Sequence, residues 1–344
     1  MTDKKINILS LFDGMSCGQV ALNRAGIKYD NYFASEIDRY SIQVTQKNYP
    51  NTIQLGDINN WKQWNIDWNN IDLLLAGFPC QAWSVAGKQK GDGDPRGQLV
   101  HVLIEIWNYC KQHNPNLKFL FENVKMKKEF IDYINNLFGV EAIHIDSALL
   151  SAQRRKRIYW TNIPNITQLE DKNILLRDIV HENNNELDNV DISEYIVPFN
   201  KSLQILDKEV ERGKVGYFGK DSQANRVYHI HNKAVTLCGE AGGGAAKMGQ
   251  YLFGCITPDR IEKRQNGQRF NDGNKSHTLT AQDKHGIIID GYIRKLTPIE
   301  CERLQTIPDN YTYGVSDTQR YKMLGNGWTV DIISHILQNI KKYK

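Results

Sequence analysis

The first 165 residues alternate short apolar runs with stretches whose apolar residues recur at helical spacing. Helical spacing is clearest over 39–49 and 98–113, and it returns over 330–340 near the end of the chain. Apolar runs short enough for buried strands lie at 6–12, 32–35, 52–55, 71–76, 118–121, 142–145 and 157–160. This alternation is typical of βαβ units, and it predicts an α/β fold built on a parallel sheet.

Polar residues follow five of these apolar runs, at the point where each predicted strand ends. They are Asp13 with Gly14, Glu36, Asp57, Cys80, and Glu122 with Asn123. In open parallel sheets, ligands bind beyond the carboxyl ends of the strands. Each residue alone is compatible with an ordinary surface position, but together they predict one shared crevice.

The pattern changes after about residue 165. Residues 182–200 are acidic and rich in asparagine, whereas 213–290 are rich in glycine and polar residues with short β-like pieces. The hexapeptide NKAVTL at 232–237 has a counterpart, NKSHTL, at 274–279, and an arginine precedes each copy. We interpret this region as a smaller, mostly β and irregular second domain with two similar strand–loop units. Chance is a rival explanation for so short a match.

Length and composition narrow the class of protein. A chain of 344 residues suits two domains, and 40% hydrophobic with 24% charged residues is ordinary for a globular protein. It contains no run of about 18 apolar residues and no signal-peptide pattern at its start, so we expect a cytoplasmic protein without a membrane span. The six cysteines form no CxxC pair, which argues against a zinc site and a disulfide framework.

The positive charge of the chain is concentrated in the predicted second domain. The net charge is +4, and residues 201–270 alone carry 12 Lys and Arg against 7 Asp and Glu. A local basic excess is a mild indication of a polyanion partner. A solvated surface explains the same excess equally well.

The turn after the first strand indicates a nucleotide-like ligand. The stretch LFDGMSCG contains a glycine turn that lets the backbone approach such a ligand, but it is not the GxGxxG fingerprint of dinucleotide sites. Glu36, at the end of the second strand, is placed to bind a ribose diol, and Asp57 to bind an adenine amino group. The sequence therefore predicts an adenosine ligand with no phosphate requirement.

Eight stretches of the chain match one enzyme family in order and approximate spacing. They read LSLFDGMSCG, ASEID, GDIN, GFPCQAWSVAGKQKG, FENV, QRRKRIYW, RKLTPIECERLQTIPDNYT and MLGNGWTV. By these motifs the chain resembles the DNA cytosine-5 methyltransferases of bacteria and phages, a family associated with restriction–modification systems. It departs from the family at Met15-Ser16-Cys17, where many members have a glycine, and at Gly327, where many have serine.

The resemblance implies a Rossmann-like domain that binds S-adenosylmethionine and releases S-adenosylhomocysteine. This catalytic domain would cover 1–185 and 326–344, a target-recognition domain would cover 186–297, and a hinge would cover 298–325. The implied partner is duplex DNA, from which the target cytosine must be flipped out. We expect a monomer that needs no metal, because the methyl donor is already activated as a sulfonium.

The resemblance also implies roles for four catalytic residues. Cys80 is the expected nucleophile, since a thiolate that adds to carbon 6 of cytosine activates carbon 5. Glu122 would hold ring nitrogen 3 and the exocyclic amine. Arg155 and Arg157, two residues apart on a strand, would share one face and serve the base's carbonyl oxygen and the surroundings of the nucleophile. Arg154 and Lys156 would point away, and Cys110 fits a buried, inert position.

The remaining predicted site residues fall into two groups. The expected cofactor contacts are Phe12, Asp13, Gly14, Glu36, Ile37, Asp57, Ile58, Pro79, Leu99 and Asn326. The expected DNA contacts are Gln81, Ser84, Arg226, Lys233, Thr236, Arg269 and Thr278, with Glu240 and Gln282 as further candidates. Residues 81–98, which contain four glycines and two lysines, are expected to form a loop that closes over the DNA.

Three other functions compete with this interpretation. A tRNA cytosine-5 methyltransferase would use the same catalytic residues, although a long second domain favours duplex DNA. A non-catalytic DNA-binding relative would keep the fold, but the intact PCQ, ENV and QRRKR motifs argue against it. A nicotinamide-dependent dehydrogenase is the weakest alternative, because the glycine fingerprint is missing.

Overall fold

The structure is a computed structural model. It describes residues 5–79, 99–179, 196–197, 203–210, 214–219, 226–229, 233, 250–252 and 293–343. Within these residues the larger sheet has seven strands, β1 (Ile6–Leu11), β2 (Tyr29–Ser35), β3 (Ile53–Gln54), β4 (Leu73–Gly77), β5 (Lys118–Val124), β6 (Ile143–Asp146) and β7 (Lys156–Thr161). All seven predicted runs contribute to this sheet, which confirms the α/β prediction.

The strands of the larger sheet lie in the order β3-β2-β1-β4-β5-β7-β6. The first five, β1 to β5, pair in parallel, whereas β7 is antiparallel to both β5 and β6. The order reverses between β1 and β4, because β2 lies on one side of this pair and β5 on the other. The carboxyl ends of β1 and β4 therefore border the crevice in which ligands of such sheets bind.

Helices cover both faces of the sheet and explain its nearly continuous apolar strands. The helices that precede β7 are α1 (Cys17–Ala25), α2 (Arg39–Asn48), α3 (Leu99–His113) and α4 (Lys128–Phe138). Leu73 and Leu75 of β4 face one apolar core, while Leu74 and Ala76 face the other, which contains α3 and α4. None of the described helices is long and apolar enough to cross a membrane.

Local capping sets the helix boundaries on either side of β2. Asp38 begins α2 by accepting hydrogen bonds from the amides of Tyr40 and Ser41. Gly26 ends α1 in the left-handed region at φ 64°, where a glycine is under no strain. The loop before α2 is therefore held directly after the end of β2.

The C-terminal segment completes the same body. It forms α5 (Pro298–Leu304), α6 (Asp317–Asn326) and α7 (Val330–Leu337). Buried side chains of α5 and α6, among them Leu304 and Leu324, lie in one apolar core with residues of α1 and β1. The stretch 298–325, predicted as a hinge, contains α5 and most of α6, and its buried residues belong to this core.

A second sheet belongs to the region predicted to recognise DNA. Its described strands are β8 (Ile196–Val197), β9 (Leu203–Val210), β10 (Lys214–Phe218), β11 (Arg226–His229), β12 (Gln250–Leu252) and β13 (Ile293–Lys295). They lie in the order β8-β13-β12-β11-β10-β9. This matches the short β-like pieces in the sequence, whereas both copies of the repeated hexapeptide, apart from Lys233, lie outside the described residues.

Candidate active site

The turn after β1 is tightly folded at the centre of the crevice. Phe12, Gly14 and Ser16 all have left-handed backbone conformations, with φ of 55°, 59° and 59°. Such values are unusual for phenylalanine and serine, and strained backbone of this kind clusters at functional sites. The turn runs directly into α1, so the backbone around Gly14 lies beside the ends of β1 and β2.

Asp13 is bound by hydroxyl groups from three directions. Ser10 Oγ and Tyr32 Oη each donate to its Oδ1 at 2.6 Å, and Ser16 Oγ donates to its Oδ2. Burial raises the pKa of Asp13 to about 6, although these hydrogen bonds oppose the rise. Asp13 was predicted as a cofactor contact, and in this structure its carboxyl group stiffens the turn that would surround the ligand.

Glu36 connects the end of β2 to the turn after β1. Its Oε2 accepts a hydrogen bond from the Gly14 amide at 2.8 Å, and its Oε1 accepts from the amides of Ile37 and Asp38 at 2.7 and 2.8 Å. Each carboxylate oxygen has further lone pairs, so Glu36 retains the capacity to accept ligand hydroxyls. Ile37 beside it is 74% exposed, an unusual exposure for an aliphatic side chain.

Asp57 follows β3 at the same edge of the sheet. Its side chain accepts from the amide of Asn59 at 2.9 Å and caps a short helical turn. Ile58 is buried beneath it. Pro79 follows the end of β4, and Leu99 begins α3 with part of its side chain exposed. The predicted cofactor residues thus surround the ends of several neighbouring strands.

Glu122 and Arg157 form an ion pair at the neighbouring strand ends. Arg157 Nε lies 2.9 Å from Glu122 Oε1, and the two side chains are only 12% and 10% exposed. Glu122 is the register partner of Gly77, the last residue of β4 and the third before Cys80. Asn123 Nδ2 donates to the carbonyl of Phe78 at 3.3 Å, and so holds the turn that leads to Cys80.

Arg155 has a different environment from Arg157. It is 3% exposed, and its Nη2 donates to the carbonyl oxygens of Gly325 and Gly327, both at 2.9 Å. The expected alternation is present, since Arg154 and Lys156 are both exposed. The two arginines that sequence reasoning treated together therefore bind different parts of the protein.

Trp328 is a candidate site residue that sequence reasoning missed. A Cβ atom on Gly77 would lie 2.8 Å from Trp328 Nε1, and one on Gly18 would lie 3.7 Å from its Cζ3. The indole therefore fills space that two glycines leave open beside the turn after β4. The sequence held one signal for this residue, a tryptophan directly after the GNG motif. A side chain of that size at a ligand-binding turn requires small residues, such as glycine, beside it.

Lys233, predicted to bind DNA, is placed differently. Its amine donates to the carbonyls of Ala148, Ser151 and Ile174, and lies 3.3 Å from a carboxylate oxygen of Asp171. These acceptors all belong to the larger body, so Lys233 fastens the recognition region to it. In this structure the lysine is therefore engaged with acceptors of the protein itself.

Of the other predicted DNA contacts, only Arg226 lies within the described residues. Arg226 begins β11, in register with Tyr217. The loop 81–98 and several predicted residues lie outside the described residues, namely Cys80, Gln81, Ser84, Thr236, Glu240, Arg269, Thr278 and Gln282. Cys110 is fully buried in α3, as predicted, and burial raises the pKa of its thiol to about 12, which disfavours the reactive thiolate.

Comparison with known proteins places this geometry in one family. The family model for the C-5 cytosine-specific DNA methylases matches residues 6–342. The type II methyltransferase M.HhaI of Haemophilus parahaemolyticus is 27% identical, over 97% of this chain and 94% of that protein. The orphan methyltransferase M.SPRI of Bacillus phage SPR is 26% identical, over 98% of this chain and 97% of that protein.

Solved structures share the fold across the whole chain. The Entamoeba histolytica methyltransferase EhMeth matches with a TM-score of 0.66 and 17% identity, covering 99% of both chains. The S. pombe Dnmt2 methyltransferase matches with a TM-score of 0.59 and 16% identity, covering 99% of this chain and all of that one. Since the family model spans nearly every residue from β1 to the last helical turn, this chain belongs to the C-5 cytosine-specific DNA methylase family.

Proposed function

We propose that Cys80 attacks the target cytosine while Glu122 and Arg157 hold the base beside it. The observation that carries this assignment is the largely buried ion pair between Glu122 and Arg157, on a strand whose register sets Glu122 opposite Gly77. Cys80 follows Gly77 by three residues in the sequence. Glu122 and Arg157 thus lie beside the end of β4, the strand that precedes Cys80 in the sequence.

The chemistry requires these residue types. Addition of the Cys80 thiolate to carbon 6 forms a carbon–sulfur bond and makes carbon 5 nucleophilic. In its protonated form Glu122 would donate a proton to ring nitrogen 3, which offsets the negative charge that the addition puts on the ring. The Arg157 guanidinium offers donors to the carbonyl oxygen of the base. Once carbon 5 carries the methyl group, a base removes the carbon 5 proton, the ring double bond re-forms and the thiolate leaves carbon 6, while nitrogen 3 returns its proton to Glu122.

The methyl donor implied by the family is S-adenosylmethionine. The residues fit its adenosine part: Glu36 would accept the ribose hydroxyls, Asp57 the adenine amine, and the exposed Ile37 would cover one face of the ring. Asn326 and the turn after β1 would complete the pocket. When bound there, S-adenosylmethionine supplies a methyl group that is already activated as a sulfonium.

Duplex DNA is the substrate that the family implies. The target atom lies inside the stacked helix, so the cytosine must be flipped out before Cys80 reaches it. We assign sequence reading to residues 186–297, with Arg226 and Arg269 as candidates for base contacts, because arginine pairs well with guanine in the major groove. The six-stranded arrangement of the described residues there supports a separate recognition unit.

A mechanism-based adduct tests the proposal. Duplex DNA that contains 5-fluorocytosine at the target should form a covalent complex with the wild type in the presence of S-adenosylmethionine, because fluorine does not leave as a proton does. Cys80→Ser should form no adduct but still bind the cofactor, and the buried control Cys110→Ala should keep forming it. An adduct that mass spectrometry maps to another cysteine would refute the assignment, and methyl transfer to tRNA alone would refute the DNA substrate.

A further inference from the structure

Residues 325–327 form the end of α6 and the turn that follows it. Buried polar side chains hold this turn from two sides. Arg155 donates to the carbonyls of Gly325 and Gly327 from one side. From the other side, the fully buried Gln305 donates through its side-chain amide to the carbonyl of Leu324. Its side-chain oxygen accepts from Thr329 Oγ1 at 2.9 Å, and its backbone carbonyl accepts from the Val330 amide at 3.0 Å. Asn326 is the residue between the two carbonyls that Arg155 binds, and it is exposed.

The same turn packs against the turn after β1. A Cβ on Gly327 would lie 2.8 Å from Met15 Cε and 3.2 Å from Cys17 Sγ, so the two turns are in direct contact. Tyr311 donates to the Met15 carbonyl at 2.7 Å and ties the same turn to the C-terminal segment. A shift of Gly327 would therefore displace the turn after β1, which borders the crevice.

One nitrogen of the Arg155 guanidinium binds both carbonyls. The planar fork of the side chain holds this nitrogen, Nη2, in a fixed direction, from which it donates to Gly325 and Gly327. The contact spans 170 residues of sequence, and Arg155 is almost completely buried. Without Arg155 the Gly325 carbonyl would lose this bond, and the Gly327 carbonyl would keep only the longer one from Gln305 Nε2 at 3.4 Å. Losing buried hydrogen bonds is unfavourable, so Arg155 stabilises the conformation of residues 325–327.

We propose that Arg155 is a positioning residue for the cofactor pocket, acting through the backbone of Gly325 and Gly327 to hold Asn326 at the crevice. This inference rests on the proposed function, because Asn326 is assigned there to the cofactor. It differs from a role at the cytosine, which is proposed above for Arg157 and its ion-pair partner Glu122. Within QRRKR, Arg155 then acts at the cofactor and Arg157 at the cytosine.

Cofactor binding without DNA distinguishes the two roles. The Arg155→Lys variant keeps the charge but loses the fork. It should bind S-adenosylmethionine roughly tenfold more weakly, the effect of one hydrogen bond to a charged group. Its single-turnover methylation rate at saturating cofactor should stay within about twofold of wild type, because only binding is affected. Arg154→Lys, at the exposed neighbouring position, is the matched control and should leave cofactor affinity unchanged.

Arg155→Lys alters a buried residue and could impair folding, so a second variant at an exposed residue tests the same inference. Asn326→Ala changes an exposed side chain and should weaken the cofactor by a similar factor. In the double variant with Arg155→Lys, the losses should be clearly less than additive, because both act through one contact. A merely structural role of Arg155 would lower the thermal midpoint without this coupling.

Each outcome has a definite meaning. Normal cofactor affinity in folded Arg155→Lys, with a slow single-turnover rate, would assign Arg155 to the base and overturn the inference. Normal affinity in Asn326→Ala would overturn it as well. A wild-type protein that bound no S-adenosylmethionine would instead contradict the proposed function itself, before either variant was measured.

Discussion

The Arg157 guanidinium and the Glu122 carboxylate lie 2.9 Å apart on neighbouring antiparallel strands, with little solvent around them. The strands β5 and β7 are rigid parts of the sheet, so the pair is oriented before any base arrives. A preoriented pair spares the enzyme reorganisation when charge develops on the ring. Mutation of Glu122 is therefore the most direct test of how this end of the crevice acts on the base.

Glu122→Gln should slow the chemical step and leave cofactor affinity unchanged. The amide is close in shape but provides no proton at ring nitrogen 3, so we expect a single-turnover rate about 100-fold lower or more, the usual range for a lost general acid. Single-turnover methylation at saturating DNA and cofactor measures this. Glu129→Gln, an exposed acid on α4, is the control. A Glu122→Gln enzyme with the wild-type rate would exclude proton donation by Glu122.

Glu36→Gln should weaken cofactor binding roughly tenfold, since one charge-assisted hydrogen bond to the ribose is lost. Glutamine retains one oxygen acceptor for the Ile37 and Asp38 amides but loses the bond from the Gly14 amide to Oε2, so the turn after β1 is loosened in the same direction. Equilibrium binding of S-adenosylmethionine without DNA measures the effect. Glu105→Gln, whose side chain is 57% exposed on α3, should bind as tightly as wild type. Equal affinity in both variants would remove Glu36 from the pocket.

Gly77→Ala should reduce stability and activity together, because the new methyl group would press on the rigid indole of Trp328 at 2.8 Å. Overpacking of this kind costs about 1–3 kcal/mol. The second change Trp328→Leu should recover part of the loss by making room. Urea unfolding of both single variants and the double variant measures the coupling. Strictly additive effects would indicate that Gly77 and Trp328 do not meet.

The pKa of Asp13 predicts a pH dependence of stability. Burial raises this pKa from 3.8 to about 6 in the folded chain. A carboxyl group with a raised folded pKa contributes stability fully below its unfolded pKa, and the contribution is lost as pH rises through the folded pKa. The unfolding free energy of wild type should therefore fall relative to Asp13→Asn by about 2 kcal/mol between about pH 4 and pH 6.

Urea unfolding of both proteins over this pH range tests the Asp13 prediction. Asp30→Asn provides a control, because its side chain is 52% exposed and pairs with Lys5 at the surface. The difference between wild type and the control should stay nearly constant with pH. A constant difference for Asp13→Asn as well would mean that the ionised carboxyl is fully stabilised by its three hydroxyl donors.

Lys233→Met should destabilise the attachment of the recognition region while leaving the salt dependence of DNA binding unchanged. The change removes the donor for three carbonyls, and each unsatisfied buried group costs about 1–3 kcal/mol. Limited proteolysis and DNA binding at several salt concentrations measure the two effects. Lys172→Met, an exposed neighbour, is the control. A flatter salt dependence in Lys233→Met would instead reveal a phosphate contact.

The sequence by itself determined the α/β architecture and the edge of the sheet that carries the chemistry. Strand and helix periods are local properties, so the apolar runs near residues 6, 71 and 118 identified β1, β4 and β5 without reference to the rest of the chain. Because parallel strands point their carboxyl ends to one edge, the positions of Glu36 and Glu122 followed from the same pattern. The motif resemblance, confirmed by the family match, supplied the reaction.

Only the tertiary structure decided which partners the polar residues have. Arg155 and Arg157 look equivalent in QRRKR, yet one binds carbonyls 170 and 172 residues away and the other binds Glu122. Lys233 likewise looked like a surface cation until its carbonyl partners were known. These contacts join segments that are distant in the chain, and their geometry depends on how helices and sheets pack. No local period or spacing encodes that packing, so the roles of Arg155, Lys233 and Trp328 emerge only in three dimensions.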